Sequence, residues 1–494
     1  MRSLVRLRCI ASFGIFLAAA CGGAESDPIS ECVQSVCPCT EGGIRGAIDE
    51  GLGPYTFDCV APTTVTIGRE IVIENDVTLD GESKLIIDGN RRHRVFFVPE
   101  GVTAELIGLT VANGNQVEAN GGGIRNEGTL TLTNSSVEGS TAGRDSGCRT
   151  DDLALLCAEG GGIWNTGTLT LMNTTVSGSS AHFGGGIANR GGNLTLIDST
   201  VVANSAAGCR GVGAVVCSGG GGIWNAGTLT MRNSSVSGST ADWGGGIFNR
   251  GAPTLIESTV SGNSAGFDGG GLLNFETLTL TRSTVADNVA GQSGGGIANA
   301  AGRLEVTDST LSGNTAASAG GGIINLAAAA VDLLNTTVSG NAANTGGGMY
   351  TEGELALASS TFARNDAPTA SAIYYPGTPE TGTRSVRTTL IEGDCADSPF
   401  DSGGYNIESP GDSCGFDRDT DRTGAAQLDL GPLADNGGPT TTHALLENSI
   451  AIDQIPEAEC IDRVGEPLTA DQRGEPRPAG AGSTCDVGAF EVQP

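Results

Sequence analysis

Three residue pairs set an aromatic ring beside a titratable group: His182-Phe183, Asp242-Trp243 and Phe267-Asp268. Each stands immediately before a glycine triplet. Such pairs suit carbohydrate binding, with ring faces against sugar C–H groups and carboxylates accepting from hydroxyls. Asp242 and Asp268 fall on successive repeats, so a separation of ~5 Å, as retaining glycosidases require, is the expectation. The structural alternative is a polar corner whose rings cover backbone.

What must position these residues is a repeat running from Gly121 to Phe362. The residue after each glycine run is Ile124, Ile163, Ile187, Ile223, Ile247, Leu272, Ile297, Ile323 and Met349, at spacings of 39, 24, 36, 24, 25, 25, 26 and 26. A fixed period of this size marks a solenoid, propeller or array. Inside each unit Leu-x-Leu pairs such as Leu130/Leu132 and Leu169/Leu171 alternate with strand periodicity. No unit can bury its own apolar residues, so stacked units must share a core. The reading is an all-β, right-handed parallel β-helix, since parallel crossovers are right-handed in nearly all cases. Asn126, Asn165, Asn189, Asn225, Asn249, Asn274, Asn299 and Asn325 recur at one position, broken by Thr351, and predict an amide ladder along the axis. The Asn-x-Ser/Thr matches at Asn134, Asn173, Asn193, Asn233 and Asn335 are by-products of the same repeat.

Between the aliphatic residue and the ladder Asn stand Arg125, Trp164, Ala188, Trp224, Phe248, Leu273, Ala298, Ile324 and Tyr350, which strand alternation points outward. An exposed apolar stripe would be a binding surface. Trp164 and Trp224 occur only in the units after two long inserts, near 143–159 and 207–218, and the simpler expectation is that each packs beneath its own insert. Both inserts leave the same corner, the arrangement of a solenoid's working face.

Polysaccharide lyases share this architecture and combine Ca²⁺ on clustered acids with a Lys or Arg base. Lys84 is the only lysine and lies far from the corner, while Arg190 and Arg250 occupy equivalent places after the ladder Asn. Asp417-x-Asp419-x-Asp421 is a weak Ca²⁺ candidate, lacking the Gly and Glu of a standard calcium loop. Three histidines and no nucleophile elbow argue against Ser-His-Asp chemistry. No catalytic residue is assigned, and no cofactor is expected beyond that Ca²⁺ spot.

Residues 1–20 carry Arg2, Arg6 and Arg8, then an apolar run, and read as a secretory signal. Removing those arginines takes the formal charge from −30 to −33, which disfavours nucleic acid or an anionic membrane surface as partner. Fourteen cysteines, twelve without Cys9 and Cys21, fit an oxidising compartment. Disulfides are expected for Cys148 with Cys157, Cys209 with Cys217, Cys395 with Cys414 and Cys460 with Cys485. The pairing of Cys32, Cys37, Cys39 and Cys59 stays open.

Leu17-Ala-Ala-Ala-Cys21 resembles a bacterial lipoprotein signal, which implies lipidation of Cys21, with Gly22 favouring the outer membrane. Ile44, Ala47 and Ile48 fall on one face of a short helix. Ile44, Arg45, Ala47 and Ile48, followed by Val77–Gly81 and Leu85–Gly89, resemble the start of CSLREAI-domain β-helix proteins, although Gly42 and Gly46 replace that family's Cys and Glu. Gly431–Thr440, His443–Leu446, Asp471–Pro478 and Cys485–Glu491 resemble the choice-of-anchor Q region of bacterial surface proteins. The organisation expected is a signal at 1–20, a Cys-rich cap at 21–62, the helix at 63–366 and an irregular anchor-like region at 367–494. The resemblance implies a surface location, or otherwise secretion, and an adhesin-like scaffold whose partner is a glycan or protein on another surface. It implies membrane contact only through the lipid. The alternatives are a polysaccharide lyase or glycoside hydrolase on the same shaft, and a passive surface layer.

Overall fold

The structure is a computed structural model describing residues 32–117, 120–143, 149–151, 154–208, 218–376, 383–397, 399–425, 428–462, 464–480 and 482–494. The signal segment, Cys21, Cys148, Cys209 and Cys217 lie outside these residues.

The turn beginning at Ile223 shows how the repeat folds. Ile223–Asn225, Thr228–Arg232, Ser235–Ser237 and Thr240–Ala241 are short strands joined by tight corners. Each pairs parallel and in register with the next turn, Ile223 with Ile247, Met231 with Leu255 and Val236 with Val260. Repetition builds a parallel β-helix whose sheets hold 27, 13 and 8 strands. Ile187 and Ile247 therefore stand in one column, both adjoining Ile223.

The interior is a set of apolar columns. Ile187, Leu196 and Val201 are 0% exposed, as are their counterparts Ile223, Met231 and Val236 one turn on. Each such side chain contributes ~1.5–3 kcal/mol by leaving water. The amide ladder is continuous, with Nδ2 donating to the next Oδ1 at 2.7 Å from Asn126 to Asn165 and 2.9 Å from Asn299 to Asn325. It ends on the Thr351 hydroxyl at 3.0 Å.

Two corners follow. At the first, Asn134, Asn173, Asp198, Asn233 and Asn335 take φ between 45° and 50°, a conformation Asn and Asp tolerate. That explains four of the five Asn-x-Ser/Thr matches. Each of these residues precedes a buried hydroxyl, and those of Ser135, Thr174, Ser199 and Ser234 accept from the preceding turn, as Ser199 Oγ does from Thr174 N at 3.1 Å. At the second corner a further amide ladder runs Asn263–Asn288–Asn314–Asn341–Asn365, at 2.9–3.0 Å per step. The glycine triplet closes the turn. Gly244 has φ 58°, and a Cβ on Gly245 would stand 2.4 Å from Ser264 O.

The N-terminal end is covered by the expected short helix, Glu41–Glu50, capped by the Thr40 side chain and burying Ile44, Ala47 and Ile48. Disulfides join Cys32 to Cys37 and Cys39 to Cys59. The pairs Cys395–Cys414 and Cys460–Cys485 form as expected, and Cys157 is disulfide-bonded.

The helix does not stop at 366. Parallel pairing continues from Leu357 to Val386, from Phe362 to Ile391 and from Leu390 to Ile407. The chain then turns back, and the hairpin of Leu430–Ala434 with Thr442–Leu445 belongs to a segment lying along the shaft's flank. Gln472 accepts from Thr337 Oγ1 at 2.6 Å and donates to Thr310 Oγ1 at 2.9 Å, and His443 Nε2 meets Ser339 Oγ at 2.8 Å. Outward hydroxyls buried here, such as Thr310 and Thr337, are half-exposed at the equivalent Thr284.

Candidate functional site

The corner residues come together only in part. Trp243 and Phe267 are half-buried, with ring centroids 4.9 Å apart and planes at 32°. His182 is 3% exposed and meets Phe183 edge-on at 4.6 Å. Burial holds its imidazole below the usual range, with the Asp242 charge opposing. A Cβ on Gly208 would stand 2.0 Å from His182 Nδ1, so that glycine admits the ring. Burial keeps His182 from being an open ligand contact.

The two acids expected ~5 Å apart stand one residue out of register. Gly220 N donates to Trp243 O and Gly244 N to Asp268 O, so Asp268 aligns with Trp243. Phe267 N donates to Asp242 O, so Asp242 aligns with Phe267. Each acid is also engaged by backbone. Asp242 Oδ2 accepts from Ser218 N at 3.1 Å and Ser218 Oγ at 2.7 Å. Asp268 Oδ1 accepts from Ser293 N at 2.9 Å, and burial raises its pKa above the ordinary value.

The outward column is not an exposed stripe. Trp224, Phe248, Leu273, Ala298 and Ile324 are at most 9% exposed and form a second apolar cluster, against which Phe183, Trp243 and Phe275 pack. Trp164 is held by Glu159, whose Oε2 accepts from its Nε1 at 3.0 Å, with Arg125 over the ring at 5.2 Å. Trp224 lies 6.1 Å from Phe183, with Arg190 over its ring at 5.5 Å. Insert residues 209–217 are outside the described structure.

Glu159 was not singled out by the sequence. It is 5% exposed and pairs with Arg190, and burial raises its pKa against the lowering effects of Trp164 and Arg190. Its only signal was an acid directly before a glycine triplet.

The Ca²⁺ candidate is not assembled. Asp421 Oδ1 accepts from Asn406 N at 2.9 Å, and its Oδ2 from Ser402 Oγ at 2.6 Å and Arg418 N at 3.0 Å. Asp417 and Asp419 are exposed. Among the described residues no group of three His, Cys, Asp or Glu could hold a metal ion, and no helix is long and apolar enough to cross a membrane. Comparison with family models, curated proteins and solved structures returned no match.

Proposed function

We propose that this chain is an exported, lipid-held surface rod that binds a glycan or protein of another surface through its aromatic corner. The observation carrying this reading is the Trp243–Phe267 stack, half-buried beside Ser218, where the second insert rejoins the shaft. A rigid ring pair on a rod binds at low entropic cost. The neighbouring acids already accept from Ser218 and Ser293, which supports binding over hydrolysis. The lipoprotein-like signal and the anchor-like C-terminal motifs support the location.

A glycan and protein array with the mature chain tests it. Binding that falls at least about tenfold in Trp243→Ala is expected. No bound ligand, or binding indifferent to Trp243→Ala, would remove the reading. Release of reducing ends or of unsaturated uronides would replace it with an enzyme.

A further inference from the structure

The two-turn unit after each insert is duplicated, with a constant offset of sixty residues: Glu159 answers to Gly219, Trp164 to Trp224, Ala188 to Phe248 and Arg190 to Arg250. The backbones agree. Arg190 N donates to Asn165 O at 2.8 Å, and Arg250 N to Asn225 O at 2.7 Å. In the first copy Arg190 is paired with Glu159, which is clamped in turn by the Trp164 indole.

In the second copy that acid is gone, through a coupled exchange. A Cβ on Gly219 would stand 2.8 Å from Phe248 Cδ2, so the Phe248 ring occupies the space that Glu159 uses in the first copy, where position 188 is Ala. Arg250 is left exposed, its guanidinium 5.6 Å from the Phe248 centroid and 5.2 Å from that of Phe275. The two rings are 5.5 Å apart. Among the described residues no carboxylate pairs with Arg250, and insert residues 209–217 contain neither Asp nor Glu.

We infer that Arg250, shelved on Phe248 and Phe275, is a binding site for the carboxylate of an acidic sugar. This rests on the surface-binding reading and names its ligand class. A guanidinium stacked on rings keeps its planar fork of donors free at the edge, the geometry that accepts a carboxylate bidentately. The rings desolvate one face of the cation, which strengthens the pair. Glu159 on Arg190 is the intramolecular version of that contact. Gly219, whose added Cβ would stand 2.8 Å from Phe248 Cδ2, pairs in register with Trp243, so the shelf adjoins the corner and a sugar ring there can present its acid to Arg250. The net charge of −30 repels a dense polyanion, so the fitting ligand carries isolated acidic residues among neutral ones.

The test is calorimetric titration of the full mature chain with a neutral oligosaccharide ending in glucuronate, and with its glucose-terminated counterpart. The acidic form is expected to bind about tenfold more tightly. Arg250→Ala should abolish that ratio. So should Gly219→Glu combined with Phe248→Ala, which rebuilds the first-copy pair and gives Arg250 an internal acid. Equal affinity for both sugars in the wild type, or a ratio unchanged in Arg250→Ala, overturns the inference. If both sugars bind equally and Trp243→Ala weakens both, the corner remains a binding site and only the acid preference is lost. If neither binds and the array is empty, the surface-binding reading falls with it.

Discussion

Asn225 Nδ2 donates to Asn249 Oδ1 at 2.8 Å, inside a core where both residues are 0% exposed. Asn225 also accepts from Asn189 at 2.8 Å, so its side chain joins two turns. Asn225→Ala removes four hydrogen bonds, to Asn249 Oδ1 and Gly227 O and from Asn189 Nδ2 and Gly227 N, whereas Asn126→Ala removes two, to Asn165 Oδ1 and Thr168 O. Each bond contributes about 0.5–1.5 kcal/mol net. Asn126, at the ladder's end, already has an Oδ1 without a donor among the described residues. Denaturant unfolding should therefore show Asn225→Ala destabilised more than Asn126→Ala. Equal losses would mean that the ladder is not a chain of coupled bonds.

Glycine substitutions separate two costs the repeat combines. Gly262 has φ 62° with nothing within 4 Å of an added Cβ, so Gly262→Ala should cost only ~1 kcal/mol of backbone strain. A Cβ on Gly245 meets Ser264 O at 2.4 Å and Gly270 O at 2.5 Å, both backbone atoms that cannot step aside alone. Gly245→Ala should cost about 3 kcal/mol or more through overpacking. Thermal midpoints of the two variants in one buffer check the order, and the reverse order would refute the account of the triplets.

The parts of the fold legible in the sequence are those where one residue type recurs in one column. Ile187, Ile223 and Ile247 announce their stacking, as do the first-ladder asparagines. The second amide ladder escaped because its column begins with Ser140, Ser179, Asn204 and Ser239 before Asn263, and mixed types hide a shared role. The sequence marks an end at 366 because the next turn has no glycine triplet. Ala370, Ser371 and Ala372 stand there instead, with Ala370 at φ 53° and its carbonyl accepting from Gly347 N. At the site, residue types were legible but register was not. A one-residue difference in the spacing of Asp242 and Asp268 from their glycine runs sets each acid level with a ring of the other pair, Asp242 with Phe267 and Asp268 with Trp243. The C-terminal segment's docking depends on contacts such as Asn335 Nδ2 to Ala470 O, between residues 135 apart, which no local pattern encodes.

The disulfides near the C-terminal end should stabilise that end alone. Cys395–Cys414 closes a separation of 19 residues and Cys460–Cys485 one of 25. Loops of this length are worth about 3 kcal/mol each in the chain-entropy account. Stability in a solenoid is local to neighbouring turns. Reduction should therefore speed hydrogen exchange across 395–494 while residues 163–362 keep their protection. Uniform loss along the shaft would show that the end and the middle unfold as one unit.

Docking of the C-terminal segment should also weaken in mild acid. His443 is 2% exposed, donating from Nδ1 to Gly431 O at 2.8 Å and accepting at Nε2 from Ser339 Oγ at 2.8 Å in its neutral form. Burial, the leading cause, lowers its pKa; Arg364 adds to this, while the Gly431 carbonyl and Glu392 oppose it. A folded pKa below the unfolded ~6.5 means that the unfolded segment binds more protons as pH falls. The contribution is thus fully present above ~6.5 and is lost as pH drops through the folded value. Asp486 and Glu491 act with the opposite sign. Burial raises both, so their protonation favours the docked state as pH falls and opposes the His443 effect. Hydrogen exchange of residues 428–494 should accelerate from pH 7 to pH 5, after correction for intrinsic rates, while the Asn225 turn holds steady. His443→Gln should flatten that response. Protection of the segment that is unchanged between the two pH values would show that His443 does not govern the contact.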